Sequence, residues 1–253
     1  AAVSHTGALI GGDNVFDAAI QRAGAVRVMS VSQLFAAAQT LASGTRVEGP
    51  RLAILTNGGG PGVMAADRAS DLDVPLAELS PTTIDKLSEI LPTHWSHSDP
   101  VDILGDADSE RYRVATETVL KDGNVDGLLV LLTPQAMTEP ALVAEELVKA
   151  AKGSKKPIIT SWMGGEQVAE ARTVLRDGGI PNFNLLESAV DGFSYLGTYN
   201  RNQRLLLQTP AKQDATHDPS DTEGARLIIQ DVIQERRAVL SNTEARAVVN
   251  AFK

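Results

Sequence analysis

The segment Arg51-Leu52-Ala53-Ile54-Leu55-Thr56 runs straight into Asn57-Gly58-Gly59-Gly60-Pro61-Gly62, and an amphipathic stretch through Val63, Met64 and Ala69 follows. An apolar run that ends in glycines and resumes with helical spacing predicts a buried strand, a tight turn and a helix. Gly127 to Leu132 repeats the pattern with an unbroken apolar run, as expected of a parallel strand covered on both faces. Pro157 to Ser161 predicts a third strand. Val101-Asp102-Ile103 and Asn182-Phe183-Asn184-Leu185 predict short extended pieces. Helices are expected between them: Thr82 to Ile90 with Ser80 as cap and Pro81 first, Ser109 to Leu120, Glu139 to Ala151, Gly165 to Asp177 and Ser188 to Gln208. Strand and helix alternate about four times over short connections, which predicts an α/β domain with an open, mostly parallel sheet and helices on both faces. Ligands of such sheets bind beyond the carboxyl ends of the strands, so the loops at Asn57 to Gly62, Leu132 to Gln135 and Trp162 to Gly165 become the candidates.

The flanks read differently. Residues 13 to 23 predict a helix with Val15, Phe16, Ala19, Ile20 and Ala23 on one face. Val26-Arg27-Val28 predicts a short strand. Ser30 caps a helix to Leu41 with Leu34, Phe35, Ala38 and Leu41 inward. Polar, turn-rich residues 43 to 50 mark a boundary, residues 209 to 221 a linker, and Thr222 to Arg236 and Asn242 to Phe252 two further helices. The bare ends, Ala1-Ala2-Val3 and Ala251-Phe252-Lys253, fit a piece of a longer polypeptide.

The chain contains no cysteine, which removes disulfides, thiolate metal sites and cysteine nucleophiles. A net charge of −9 argues against nucleic acid or an anionic membrane surface as partner. No apolar run approaches the roughly 20 residues that span a bilayer, and no signal peptide is visible, so a cytoplasmic protein is expected.

Two segments carry chemistry. Ser4-His5-Thr6-Gly7-Ala8-Leu9-Ile10-Gly11-Gly12 sets a histidine among small residues, where neutral imidazole is a competent nucleophile; a plain loop histidine is the alternative. Asn57, Gly58, Gly59, Gly60 and Gly62 form a strand-to-helix loop whose N–H groups suit a phosphate at a helix N-terminus carrying roughly half a positive charge; a tight turn without a ligand is the alternative. No lysine follows these glycines, so this is not a Walker A loop. His94 and His97, with Asp99 and Asp102, admit a metal site, but a surface loop around one buried tryptophan is the better reading, and no metal ligands are assigned. Asp99-Pro100-Val101-Asp102 brackets a strand start with two carboxylates. Trp162-Met163-Gly164-Gly165 either lines the crevice or plugs the sheet edge.

Ser4 to Gly12, with Asp13, Asp17-Ala18-Ala19, Arg22-Ala23-Gly24 and Arg27-Val28, resembles the NDP-forming acyl-CoA synthetases of the succinyl-CoA synthetase superfamily. Leu52 to Gly62 matches the glycine-rich opening of that family's second flavodoxin-like domain. Leu240-Ser241 and Glu244-Ala245 resemble the opening of its ATP-grasp domain. The family's Asn-Pro-Val-Asp appears here as Asp99-Pro100-Val101-Asp102, with a changed first residue. The resemblance implies a flavodoxin-like sheet with partial flanking segments: the histidine loop and end of one flavodoxin-like domain at 1–46, a second such domain at 47–210, and a linker with the start of an ATP-grasp domain at 211–253. It implies that His5 carries a phosphoryl group, that the glycine loop faces it, and that Asp102 is possible support. It also implies acyl-CoA (acetyl-CoA) formation from an acyl carboxylate and CoA at the expense of ATP, giving ADP and phosphate, with Mg. The main CoA and ATP sites are expected in the remaining CoA-binding and ATP-grasp domains, and a homo-oligomer is expected. Leu91 to Asp102 and Leu132 to Thr138 look closest to bacterial proteins in which this body is fused to a GNAT-type lysine acetyltransferase. A non-catalytic, acyl-CoA-sensing region of such a protein is therefore the alternative.

Overall fold

Leu52–Thr56 (β1), Gly127–Leu132 (β3) and Ile158–Trp162 (β4) are buried at every position, so their sheet is covered on both sides. The computed structural model describes residues 12–208 and 221–252, which belong to two compact units, 1–208 and 209–253. In the first unit, Val101–Asp102 (β2) and Asn182–Phe183 (β5) complete a five-stranded sheet ordered β2-β1-β3-β4-β5, parallel throughout. Leu52–Thr56 pair with Gly127–Leu131, and Leu128–Leu132 with Ile158–Trp162.

Alternate strand residues feed two cores, as the pleat requires. Ala53, Leu55, Leu128, Val130 and Leu132 meet Leu87, Tyr112, Ala115, Val119, Val143, Leu147 and Leu175. Those side chains come from helices Pro81–Ile90 (α4), Ser109–Leu120 (α5), Pro140–Lys152 (α6) and Ala169–Asp177 (α7). On the other face Leu52, Ile54, Leu129, Leu131 and Ile159 meet Ala65, Ala69, Ala189, Val190, Phe193 and Leu196. These belong to Gly59–Asp71 (α3) and Leu186–Leu206 (α8), against which Val31–Ala42 (α2) packs through Ala36 and Ala37. The expected open parallel sheet with helices on both faces is the fold observed.

Several flanking expectations are corrected. Val26-Arg27-Val28 is not a strand: α8 side chains take the backbone carbonyls just before it, Asn202 Nδ2 donating to Ala25 O and Gln203 Nε2 to Gly24 O, at 2.7 and 2.9 Å. Val26 and Val28 simply pack on the α8-side core. In α2 the inward face is Ala36, Ala37 and Thr40, with Leu41 packed against the same core as expected, while Leu34, Phe35 and Ala38 are exposed. Helices α2 and α8 approach closely at Thr40: a Cβ on Gly192 of α8 would stand 2.5 Å from its Oγ1. Asp13–Arg22 (α1) has no buried residue, and Val15 and Phe16 are exposed. The helix expected from Gly165 opens as a 3-10 turn, Gly165–Val168, before α7 begins. β5 ends at Phe183, because α8 starts at Leu186.

In the second unit, Thr222–Gln234 (α9) and Asn242–Phe252 (α10) form a helical pair. Asp221 Oδ1 caps α9 through Gly224 N at 2.8 Å. Ser241 and Glu244 exchange side-chain-to-backbone bonds in a reciprocal capping box. Arg237 Nη2 holds the same Glu244 at 2.6 Å. That pair and the cap hold Glu244 down at about 2. The 209–220 part of the expected linker lies outside the described residues.

Candidate functional site

β1 and β3 are neighbours here, and the chain crosses to opposite sides of the sheet after them, which makes their carboxyl ends the switch point where ligands of such sheets bind. The glycine loop leaves β1 at that point and becomes the first turn of α3. His5 lies outside the described residues.

Each loop residue has its own task. Asn57, almost fully buried, spends its carboxamide on Thr133: Nδ2 donates to Thr133 O at 2.8 Å, and Oδ1 accepts from Thr133 N and Oγ1 at 2.9 Å. A side chain thus pairs with a backbone N–H and C=O as a strand residue would, extending the β1–β3 ladder after the backbone of β1 has turned away. Gly58 N donates to Thr56 Oγ1 at 3.0 Å, and that hydroxyl donates back to Gly58 O at 2.9 Å. Gly62 N donates to Gly58 O, the first bond of the helix. Pro61 has no N–H. Gly59 and Gly60 are left with N–H groups that have no partner among the described residues.

Space separates the glycines further. A Cβ on Gly62 would stand 2.9 Å from Thr56 Cγ2, and one on Gly58 3.0 Å from Thr133 Oγ1, so both are required for packing. Among the described residues, a Cβ on Gly60 would meet nothing within 4 Å, and its φ is not positive. Neither backbone geometry nor crowding calls for glycine there; what glycine provides is an open approach to the N–H. Beside it, Asp102 Oδ2 lies 3.2 Å from the position of a Cβ on Gly59, and Asp102 Oδ1 accepts from Leu104 N at 2.9 Å. The structure therefore gathers Asn57, Gly58, Gly59, Gly60, Gly62 and Asp102 around one helix N-terminus.

The remaining candidates sit apart from this chemistry. Asp99 Oδ1 accepts from Ile54 N at 2.8 Å and Oδ2 from Ala77 N at 3.2 Å, tying the middle of β1 to the segment before α4. Desolvation pushes its carboxyl up to about 7, although both N–H bonds pull it down. His94 and His97 are exposed, the His97 ring leaning on the buried Trp95 at 4.7 Å. Among the described residues no group of three or more His, Cys, Asp or Glu is placed to hold a metal ion. Trp162 is fully buried in the core, and Gly164, at φ 125°, abuts Pro134, so the loops after β3 and β4 brace each other. Sequence reasoning missed Thr56 and Thr133. A hydroxyl residue directly after each apolar strand, or at its last position, was the available signal for the two threonines. Among the described residues no helix is long and apolar enough to cross a membrane.

The Ligase-CoA domain family model matches residues 52–205, and that of the succinyl-CoA ligase-like flavodoxin domain matches residues 1–41. The chain is 42% identical over 253 residues to an ADP-forming acetate–CoA ligase of Archaeoglobus fulgidus, covering all of this chain and 35% of that protein. It is 31% identical over 252 residues to an ADP-forming 4-hydroxybutyrate–CoA ligase of Nitrosopumilus maritimus, with the same coverage of 100% and 35%. Among solved structures, a dinucleotide-forming acetyl-coenzyme A synthetase 1 of Ca. Korarchaeum cryptofilum, in complex with phosphate and ADP, superposes with a TM-score of 0.76 at 33% identity. That match covers 82% of this chain and 46% of the other. The chain thus spans about a third of the length of the two ligases it matches.

Proposed function

The chain belongs to the Ligase-CoA domain family of the NDP-forming acetyl-CoA synthetases, and from that premise we propose that it is the central part of an ADP-forming acyl-CoA ligase. The net reaction is acid, CoA and ATP giving acyl-CoA, ADP and phosphate. His5 acts as nucleophile and takes the phosphoryl group from ATP. The group then passes to the acyl carboxylate, where the P–N bond breaks as a P–O bond forms. CoA displaces the phosphate from the acyl phosphate. Gly59 and Gly60 present their N–H groups to the phosphoryl oxygens at the positive end of α3. Gly58 and Gly62 allow the close packing that aims those groups, Asn57 fastens the loop, and Asp102 supports the incoming ring. CoA, ATP and Mg bind chiefly to the CoA-binding and ATP-grasp domains of the longer polypeptide.

The observation that carries this reading is the N–H of Gly60, without a partner among the described residues, at the switch point of the sheet. The test uses the full polypeptide, wild type beside His5→Asn, incubated with γ-labelled Mg-ATP. Acid-labile label in wild type alone, discharged by acetate plus CoA, is the expected result. No label in either, with CoA binding retained, would overturn the ligase reading and favour the acyl-CoA-sensing region of a lysine acetyltransferase.

A further inference from the structure

Tyr112 lies fully buried on the apolar face of α5, among Leu128, Val130, Ala115 and Val119. Phenylalanine would fill that space equally well, so the hydroxyl needs its own explanation. It donates to Leu131 O at 3.0 Å. Leu131 is the β3 residue opposite Thr56, the last residue of β1 before the chain turns into the glycine loop. The phenol also lies against the backbone of Asn57 and near Asp102; burial first, and then the Asp102 charge, push its pKa well above the ordinary range. Burial thus favours the protonated hydroxyl that donates to Leu131 O.

Two side chains now grip the ladder where it ends. Asn57 takes both backbone groups of Thr133 from above, and Tyr112 takes the carbonyl of Leu131 two residues earlier. Between them they fix where the backbone of β1 departs, and hence where the N–H groups of Gly59 and Gly60 stand. We propose that Tyr112 is a positioning residue for phosphoryl transfer: its hydroxyl, acting through the end of β3, sets the placement of the glycine-loop donors. This rests on the phosphohistidine reading above. Donors displaced by a fraction of an ångström from a developing charge lose catalytic effect while substrates still bind.

The test compares Tyr112→Phe with Val119→Ala, a cavity-forming change two turns along the same helix, in the full polypeptide. Melting, KM for acid and CoA, kcat, and the rate of label appearance on His5 are measured for both. Tyr112→Phe is expected to lower kcat and the labelling rate roughly tenfold with both KM values unchanged, while Val119→Ala lowers the melting temperature and leaves kcat alone. Equal kcat losses in the two variants, or none in Tyr112→Phe, would overturn the proposal and leave the phosphohistidine standing if wild type still labels. Absence of label in wild type overturns both.

Discussion

Gly60 and Gly62 lie two residues apart on one helical turn, yet a methyl group has opposite consequences at each. At Gly60 it enters open space. Gly60→Ala is therefore expected to leave stability unchanged or raise it by about 0.5–1 kcal/mol, through the restricted unfolded chain, while abolishing label on His5. At Gly62 the methyl meets Thr56 Cγ2 at 2.9 Å, a short β-branched side chain that cannot swing away. Gly62→Ala is expected to cost about 1–3 kcal/mol in urea titration. A Gly60→Ala variant that is both stable and active would remove the anion role of the loop. The glycine cluster was legible in the sequence because glycine at a strand-to-helix turn has few uses. The task of Asn57 was not, since its partner Thr133 stands 76 residues further along the chain.

Helix α2 shows what periodicity leaves open at the level of an element. Spacing located the helix and its Ser30 cap, which accepts from Gln33 N. Hydrophobicity placed Leu41 correctly but misplaced Leu34 and Phe35, because these outrank alanines on any scale while the positions against the α8-side core are taken by Ala36, Ala37 and Thr40. Phe35→Ser is accordingly expected to shift chemical denaturation by no more than about 0.5 kcal/mol, whereas Ala37→Leu overpacks the α2–α8 contact and costs about 1–3 kcal/mol. The reverse order would place Phe35 inside. Val26-Arg27-Val28 failed for a related reason: two valines around an arginine look like a strand, but a strand needs a neighbour, and the sheet has none to offer beside α8. The 3-10 turn at Gly165–Val168 left no mark in composition.

For the molecule as a whole, the sequence disclosed the layers and the parallel sheet because β3 is apolar from end to end, β1 is apolar up to Thr56, and helical spacing resumes after each strand. It did not disclose how the edge of β1 is closed. There the Asp99 carboxyl bonds Ile54 N and Ala77 N, bridging the gap between the pairing near Leu52 and that with β2. With its pKa raised from 3.8 to about 7, Asp99 holds a proton in the folded state that the unfolded chain has already lost. Its contribution to stability is thus complete below about pH 4, declines as pH climbs towards 7, and is flat above. Global unfolding of wild type and Asp99→Asn, followed from pH 4 to 8, is expected to show a stability difference that falls with rising pH. A difference that grows would reverse the sign assigned to Asp99.

The bond between Asn57 and Thr133 has a consequence in time as well as in space. The glycine loop is spelled by consecutive residues, but it is held in shape by one that the ribosome adds 76 positions later. On a nascent chain the loop has no anchor until β3 has emerged and paired with β1, and closing so long a span is a slow, entropy-limited step. The loop therefore takes its shape only once β3 has joined β1, and a chain cut short of Thr133 displays the right residues without the bond that fastens them.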